Sequence, residues 1–474
     1  MTVPHPLFLA DVERHEAFHD AIATIDRYLT NVESLPVERA IDASEVARFI
    51  ERINFAVPMK PDEAIAYVNE AMLRFQTHTG HPGYFGLFNP ASTAMGIVGE
   101  AMVAAFNPQL AAWSHAPFAV QLEQFLIRSM GRRFGEEFSY GAFTSGGAEA
   151  NFTATLSALA KRFPTFSSAG ARSLPGQPIA YASAAAHHSM IKVVRALGLG
   201  TEALRIVPCD TSYRMDVDAL RDAIESDRRA GSYPFFVVGT AGATATGIIE
   251  PLAAISDVAT DNGLWFHVDA AWGGFAAFVP EFRSLLAGAE FADSVTFDPH
   301  KMLGIPMGAG MFLTRHGSIL GEVFSVTTSY MPASTSDDQL DPFTHSMQWS
   351  RRFIGLKLFL SLAVAGWDGY AEVLRDQVRL GNLLRKQLVA SNWKLHNRTP
   401  LPIVCTTPML TSKAPAKISE DVKRRGRSWV SSVILPDGTP TIRACICNYR
   451  TSAADIERLI VDLTDAASES VSQA

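Results

Sequence analysis

The pattern of apolar and polar positions divides the chain into a helical start, an alternating middle and a mixed end. Residues 11–75 carry apolar side chains at helical spacing with polar faces between them, which predicts helices. From about residue 95 to 315, short β-rich runs alternate with helical runs such as MDVDALRDAIESDRRA. The runs typical of strands are IAYASAA (179–185), FFVVGTAG (235–242), LWFHVDAA (264–271), SVTFDP (294–299) and GAGMFLT (308–314). This alternation predicts an α/β fold with a mostly parallel sheet and helices on both faces.

The remaining chain has a different pattern. A long helical region that begins at SRRFIGLK precedes two strand-like runs, TTPMLTS and TIRACICN, and a final helix, which together predict a small α+β unit. Residues 325–347 show no clear period and predict a long loop, and long loops in compact domains are often functional lids. We therefore predict a helical N-terminal segment (1–90), a large sheet domain (91–360) and a small C-terminal domain (361–474).

The composition excludes several classes of protein. Of the 474 residues, 47% are hydrophobic and 19% are charged, which suits a large globular core and excludes a fibrous or wholly disordered chain. A formal net charge of -7 does not favour a polyanion, so no nucleic-acid partner is expected. The N-terminus lacks a signal-peptide pattern, and no stretch reaches the ~20 clean apolar residues of a membrane span. We expect a cytoplasmic protein without membrane attachment.

The cysteines and histidines do not predict a metal site. Cys445 and Cys447 lie two residues apart in a strand-like run and should share one face as buried thiols. His187 and His188 are neighbours on an extended stretch and point apart, and no HExxH or paired-cysteine spacing accompanies them. We expect no metal cofactor.

Two charged residues follow neighbouring predicted strands. Asp269 ends the apolar run in FHVDAA, and Lys301 follows Pro299 in DPHK, so both should lie at carboxyl strand ends, where α/β sheets bind ligands. This pair suits pyridoxal phosphate, because the lysine amine can bond the cofactor aldehyde and the carboxylate can keep the pyridine nitrogen protonated. Taken singly, a buried hydrogen-bonded aspartate and a surface lysine are the commoner explanations.

Two further features favour the same cofactor. The small residues of TSGGAEAN lead into a helical run, so backbone N–H groups near Gly147 and Ala148 and the positive helix end can face a phosphate. A plain capped turn is the alternative. His187 follows a predicted strand, where an imidazole can stack on an aromatic ring and transfer protons, or can be an ordinary hydrogen-bonded residue.

Together these motifs resemble the group II pyridoxal-phosphate-dependent decarboxylases, the family of the aromatic-amino-acid, glutamate and diaminobutyrate decarboxylases. The resemblance covers about residues 80–450 and includes HPGYFGLFNP, TSGGAEAN, AHHS, HVDAAWGG, SVTFDPHK, SRRFIGLK and TIRACICNYRT, in the same order. It implies fold-type I, the aminotransferase-like fold, with the cofactor on the large domain. It also implies a homodimer to which the N-terminal segment contributes.

The resemblance gives roles to individual residues. It implies that Lys301 forms the Schiff base, Asp269 partners the pyridine nitrogen and His187 stacks above the cofactor ring. Asp298 stands where several family members have asparagine, and a carboxylate would repel a phosphate, so no direct contact is expected there. The other cofactor-binding residues implied are Ala271 beneath the ring, Gly147, Ala148 and His300 around the phosphate, and Thr246, or Thr244 in its place, near the cofactor.

The resemblance also implies a proton donor and a substrate pocket. Tyr330, in TTSYMPAS, matches the mobile-loop tyrosine that protonates the substrate carbanion, and relatives that oxidise the amine to an aldehyde typically have phenylalanine there. An exposed loop tyrosine is the alternative. The pocket is expected to include Leu87, Phe88 and Asn89. The aromatic-amino-acid decarboxylase has tyrosine where this chain has Leu87 and proline where it has Asn89. It has a further tyrosine where this chain has Gly83.

The expected activity is decarboxylation of an L-amino acid to an amine and CO2, with an aromatic side chain as one option. On the same fold, the rivals are an oxidative aldehyde synthase, an aminotransferase and a carbon–carbon lyase. Tyr330 argues against the synthase, and the DPHK motif argues against the sphingosine-phosphate lyase branch. From another class, an NAD-dependent oxidoreductase would need a strand–GxGxxG–helix unit with an acid ~20 residues on, which the sequence lacks.

Overall fold

The computed structural model describes residues 7–331 and 339–468. The helices within these ranges are α1 (Asp11–Asn31), α2 (Ala43–Ile50), α3 (Pro61–Arg74), α4 (Ala94–Phe106), α5 (Pro117–Gly131), α6 (Gly147–Arg162), α7 (Phe166–Ala169), α8 (Ser189–Ala196), α9 (Val217–Arg229), α10 (Leu252–Asn262), α11 (Ile319–Phe324), α12 (Gly355–Ala390), α13 (Pro415–Arg424) and α14 (Ala453–Ser468). The strands are β1 (Tyr140–Thr144), β2 (Pro178–Ser183), β3 (Leu204–Val207), β4 (Tyr233–Thr240), β5 (Trp265–Asp269), β6 (Ser294–Phe297), β7 (Gly310–Thr314), β8 (Trp393–Leu395), β9 (Ile403–Pro408), β10 (Ser431–Ile434) and β11 (Pro440–Cys445).

The larger sheet of the described residues has seven strands in the order β1-β7-β6-β5-β4-β2-β3. Strands β2 to β6 pair in parallel, whereas β7 runs antiparallel to its neighbours β6 and β1. The mostly parallel sheet predicted from the sequence is therefore confirmed, and all five predicted strands belong to it. The direction of β7 was not predicted, because an apolar run such as GMFLT looks the same whichever way the strand runs.

Helices cover both faces of this sheet, as predicted. On β4, Val237 packs in the core with α9 and α10, whereas Phe236 and Val238 pack on the other face with α6 and α8. This alternation follows because successive strand side chains point to opposite faces. Helix α6 contacts each of β4, β5, β6 and β7, so it lies across the middle of the sheet.

A second sheet, antiparallel and four-stranded in the described residues, has the order β10-β11-β9-β8. Helices α12, α13 and α14 pack on it through apolar residues such as Leu384, Val422 and Leu459, which gives the predicted α+β arrangement. Helix α12 runs through the predicted boundary at residue 360 and bends at Gly366, whose φ of 66° glycine adopts readily. The two boundaries between the three predicted domains stay predictions.

The segment 83–88 connects the two sheets. The Phe85 N–H donates to the Trp429 carbonyl at 2.9 Å, and the Cys445 N–H donates to the Phe85 carbonyl at 2.9 Å. Beyond this contact, the Phe88 ring packs against Trp272 with 5.0 Å between ring centroids. A segment that the sequence pattern places with the N-terminal helices therefore lies on the C-terminal sheet, and it carries Leu87 and Phe88 towards the larger sheet.

Four further sequence predictions concern residues that the structure describes. Cys445 and Cys447 are buried free thiols, although β11 already ends at Cys445. No group of three histidines, cysteines or acids within the described ranges could hold a metal ion. In the same ranges, no helix is both long and apolar enough to cross a membrane. The predicted loop is described at 325–331 and 339–347, where it contains no strand, and residues 332–338 lie outside the described ranges.

Candidate active site

The carboxyl ends of the parallel strands surround a cavity of about 310 Å³. Because parallel strands end at the same edge of a sheet, the residues after β1, β2, β4, β5 and β6 converge there. The antiparallel β7 begins at the same edge, and Met307 from the preceding turn also lines the cavity. The structure thus brings together these predicted site residues: Gly147, Ala148, His187, Asp269, Ala271, His300 and Lys301.

The alternation of β5 directs Asp269 into this cavity. Asp269 is only 7% exposed, and its Oδ2 accepts a hydrogen bond from Asn151 Nδ2 at 2.8 Å. Its Oδ1 accepts from the Ala271 N–H at 3.2 Å. His267, two residues earlier, also faces α6, where it meets the Asn151 amide. Asp269 is therefore a buried carboxylate held by two donors, with further lone pairs available to a ligand.

Asn151 belongs to a buried hydrogen-bond chain that sequence reasoning missed. Its Oδ1 lies 2.7 Å from Thr296 Oγ1 and 3.1 Å from His267 Nε2, so both act as donors to it. His267 Nδ1 then accepts from Ser294 Oγ at 2.8 Å. Burial lowers the pKa of His267 to about 4, so its ring is neutral at physiological pH. The chain therefore fixes the Asn151 amide with its N–H groups towards Asp269. The sequence signal for this hydrogen-bond chain is the spacing of His267 and Asp269, two polar residues that lie two positions apart in a strand-like run and so share one face.

Lys301 lies in the turn after β6. Its backbone N–H donates to the Asp298 carbonyl at 3.0 Å, which closes the turn at Pro299. Its Nζ is 3.1 Å from Asp298 Oδ2 and 5.7 Å from the centroid of the Phe88 ring. The side chain is partly exposed to the cavity, as a residue that bonds a ligand must be. Because β5 and β6 are neighbours, Lys301 and Asp269 emerge from adjacent strand ends.

The first turn of α6 forms another wall of the cavity. A Cβ added to Gly147 would lie 3.0 Å from Asp298 Oδ2 and 3.3 Å from the Ala271 Cβ, so these elements approach closely and leave little room for a side chain there. The first N–H groups of a helix have no partner within it and carry its positive end. His300 lies beside this turn, and its Nδ1 is 2.8 Å from the Ala309 carbonyl. Burial lowers its pKa, which favours the neutral ring.

His187 and Ala271 lie at the cavity, and so does only one of the two candidate threonines. Thr244 lines the cavity. Thr246 is fully buried away from the lining, where its Oγ1 accepts from the Ile248 N–H and its carbonyl accepts from Asn397. The two threonines are two residues apart in GTAGATATG, and the sequence alone does not show which of them faces the cavity.

His187 has an exposed side chain, and its Nδ1 accepts from the Ser189 N–H at 3.2 Å. Desolvation by the surrounding protein lowers its pKa, although Asp269 acts in the opposite direction. A neutral ring with Nδ1 as acceptor carries its proton on Nε2. In this tautomer the Nε2–H group points away from the α8 backbone, which Nδ1 faces.

The remaining predicted residues lie at the edge of the site or beyond it. Phe88 is buried near Lys301, whereas Leu87 is 53% exposed. Asn89 Oδ1 accepts from the Tyr84 hydroxyl at 3.3 Å. Tyr330 is 74% exposed, does not line the cavity and stacks on Trp349 with 6.2 Å between centroids. The structure of this single chain therefore does not bring Tyr330 to Lys301.

The cavity fits pyridoxal phosphate. Lys301 supplies an amine, Asp269 supplies a buried carboxylate for the ring nitrogen, and the glycine-rich start of α6 supplies donors for a phosphate. Ala271 and His187 also line this cavity. This site, on a mostly parallel sheet, defines a pyridoxal-phosphate enzyme of fold-type I.

Comparison with known proteins agrees with this class. Residues 48–406 match the profile described as the pyridoxal-dependent decarboxylase conserved domain. The chain is 26% identical over 479 residues to an aromatic-L-amino-acid decarboxylase of Bacillus atrophaeus, covering 98% of this chain and 97% of that one. It is 32% identical over 308 residues to cysteine sulfinic acid decarboxylase of Mus musculus, covering 63% and 61%. The crystal structure of mouse CSAD aligns with a TM-score of 0.90 at 24% identity, covering 98% of this chain and all of that one.

The chain belongs to the pyridoxal-dependent decarboxylase family, because the family profile spans well over half of it. It is a pyridoxal-phosphate-dependent amino-acid decarboxylase, as the sequence analysis predicted. The relatives are named for different side chains, one aromatic and one sulfinic, so family membership alone does not define the substrate.

Proposed function

We propose that Lys301, Asp269 and His187 serve the decarboxylation. Lys301 would bond the cofactor, Asp269 would keep the nitrogen of the cofactor ring protonated, and His187 would cover the ring. The observation that supports this most is the placement of Lys301 and Asp269 at adjacent strand ends around one cavity. Gly147, Ala148 and His300 would bind the phosphate, and Thr244 takes the place first given to Thr246. The bound cofactor supplies an electron sink for the pair of electrons left behind by CO2.

In this proposal, the protein holds the reacting groups and controls one proton. Asp269 would keep a bound cofactor's ring nitrogen protonated, because a buried carboxylate pairs best with a cation. His187, neutral with its proton on Nε2, covers the ring without adding positive charge. The partly exposed Lys301 amine would bond the cofactor aldehyde, and its exposure to the cavity would leave it open to the amine of an incoming amino acid.

Tyr330 returns a proton to the substrate carbon in this proposal. Its side chain is exposed, so its hydroxyl is accessible to a ligand when the loop approaches a cavity. Closure by the loop would also exclude water from the reacting carbon. In the described structure the Tyr330 ring stacks on Trp349, so Tyr330 would have to change position for its hydroxyl to reach the substrate carbon.

We further propose that the substrate side chain is apolar and that aromatic amino acids are the preferred substrates. The exposed Leu87 and the Phe88 ring near Lys301 offer an apolar surface to it. The Arg443 guanidinium lies 5.3 Å from the Phe88 centroid, yet its N–H groups donate to the carbonyls of Thr244 and Gly86 and to Ser431 Oγ. These partners use three of the five guanidinium N–H groups, and Arg443 is only 2% exposed, so it is a poor receptor for an acidic side chain.

Mass spectrometry of the products tests this function. Cofactor-loaded protein is incubated with aromatic, acidic, diamino and branched amino acids, with Lys301→Ala as the control. We expect the amine of an aromatic substrate from the wild type and none from the variant. An amine only from acidic substrates would overturn the proposed side chain, and keto acids or aldehydes without amine would overturn the reaction.

We also propose a cytoplasmic homodimer. The N-terminal helices α1 and α3 leave Phe18, Ile22, Val68 and Met72 exposed, next to an apolar groove of about 690 Å³. Such an apolar surface is costly in water and suits burial against a second copy. All four cysteines are free thiols, which suits a reducing compartment. Sedimentation that finds a dimer would support this assembly, and a clean monomer at micromolar concentration would contradict it.

A further inference from the structure

The buried carboxylate of Asp298 has no evident role in the proposed reaction. It is 2% exposed, and its backbone N–H donates to the Ala271 carbonyl at 3.1 Å, which holds the residue in place. Its Oδ2 lies 3.1 Å from Lys301 Nζ and 3.8 Å from His300 Nε2. Its Oδ1 is buried and finds no hydrogen-bond partner in the part of the chain that the structure describes. A half-satisfied buried carboxylate is costly, so its presence here calls for an explanation.

The position of this carboxylate points to the phosphate end of the cavity. Its Oδ2 lies so close to α6 that a Cβ on Gly147 would be 3.0 Å away. The N–H groups and the positive end of α6 are what an anion would bind here. Asp298 therefore places a fixed negative charge beside the place proposed for the phosphate.

We propose that Asp298 is a positioning residue that weakens phosphate binding and so makes the protein hold its cofactor reversibly. Its carboxylate opposes the phosphate by like charge and competes with it for the positive end of α6. In the cofactor-free protein, the same carboxylate pairs with the Lys301 amine and keeps it at the cavity. The inference rests on the proposed place of the phosphate, and it concerns how tightly the cofactor is held rather than which reaction follows.

Two ligands separate the phosphate effect from the lysine effect. Pyridoxal has the aldehyde that bonds Lys301 but no phosphate, whereas pyridoxal phosphate has both. Loss of the Asp298–Lys301 pair would change the affinity of both ligands alike. Only the phosphate effect changes the ratio of their dissociation constants. If Asp298 had a merely structural role, its substitution would leave this ratio unchanged.

The experiment is equilibrium dialysis of the full chain, freed of cofactor, with each ligand in turn. For Asp298→Asn, we expect pyridoxal phosphate to gain affinity over pyridoxal by at least about tenfold relative to the wild type. Asp298→Ser provides the same test if the asparagine variant does not fold. The control is Asp293→Asn, which removes an equal charge at the other end of β6, where Asp293 contacts His316. It should leave the ratio unchanged.

An unchanged ratio in the folded Asp298 variants, or a ratio that moves in favour of pyridoxal, would overturn the proposal. An equal change in the Asp293 control would do so too, because it would trace the effect to net charge rather than to position. Failure of the proposed residue roles and substrate is a separate outcome, since it would appear as absence of the expected amine in a protein whose ligand ratio still responds to Asp298.

Discussion

Asn151 Nδ2 donates a 2.8 Å hydrogen bond to Asp269 Oδ2, and this contact holds the carboxylate that faces the cavity. The amide is held in turn by donors from Thr296 and His267. Asn151 comes from the second turn of α6, the helix whose first turn forms the proposed phosphate site. One helix therefore positions two ends of the proposed cofactor site, so a change at Asn151 should affect cofactor binding without touching the cofactor.

The variant Asn151→Ala should weaken cofactor binding and lower turnover by ~10–100-fold, the usual effect of losing an orienting partner. The reason is that Asp269 loses a donor and the neighbouring donors lose their acceptor. Cofactor titration and amine release measure the two effects. Thr153→Ala is the matched control, because its hydroxyl donates within α6 to the Glu149 carbonyl. Equal losses in both variants would mean that α6 was merely destabilised.

The variant Asp269→Asn should lose up to ~1000-fold in turnover. A carboxylate at ~4 Å with an effective dielectric of ~20 favours the protonated ring by ~4 kcal/mol, which an amide does not supply. The measurement is amine release at saturating cofactor, so that weaker binding does not mask the result. Turnover within a few-fold of the wild type would remove Asp269 from its proposed role.

The variant Tyr330→Phe should lose ~100-fold or more in amine formation, because proton delivery to the substrate carbon typically contributes this much. Cofactor affinity should stay unchanged, since Tyr330 does not line the cavity. Products are analysed under air for amine, aldehyde and peroxide. Tyr140→Phe, another exposed tyrosine, is the control. Full amine output from the Tyr330 variant would show that another group delivers the proton.

Stability should depend on pH through Glu250, a buried acid behind the cavity. Desolvation, with a smaller contribution from Asp269, raises its pKa to about 7 from 4.5. Since the folded pKa is the higher one, the folded state keeps the proton longer. The stability due to Glu250 is then fully present below pH 4.5 and is lost as the pH rises to 7, by about 3 kcal/mol.

The variant Glu250→Gln removes this titration while it keeps an acceptor for the Thr240 N–H, which donates to Glu250 Oε2 at 2.7 Å. Its thermal unfolding midpoint should therefore match the wild type near pH 5 and exceed it near pH 8. The exposed Glu202→Gln is the control and should follow the wild type at both values. A variant that is equally or less stable than the wild type at pH 8 would contradict the raised pKa.

Much of the large sheet could be predicted from local pattern. The strand-like runs WFHV and SVTF, before Asp269 and Lys301, contain no charged residue because both strands are buried on both faces, and each run leads into a polar residue at the ligand edge. Adjacent pairing of β5 and β6 then brings Asp269 and Lys301 together. These two residues and their strands were therefore accessible from the sequence alone.

Other features depend on contacts between distant parts of the chain. Asn151 resembles a glycosylation acceptor in sequence, and only the packing of α6 on β5 and β6 reveals it as a partner of Asp269. The choice between Thr244 and Thr246 depends on the local path of a buried turn. The place of Phe85 on the C-terminal sheet depends on backbone hydrogen bonds to Trp429 and Cys445, which leave no periodic signal.

The most direct test of the account is to find which residue bonds the cofactor. The cofactor-loaded protein is reduced with borohydride, digested, and mapped by peptide mass spectrometry. We predict that the cofactor mass is found on the peptide containing Lys301 and is absent from Lys301→Ala. Cofactor attached to another lysine, such as the buried Lys357, or retained covalently in the Lys301 variant, would contradict the assignment on which the proposed mechanism depends.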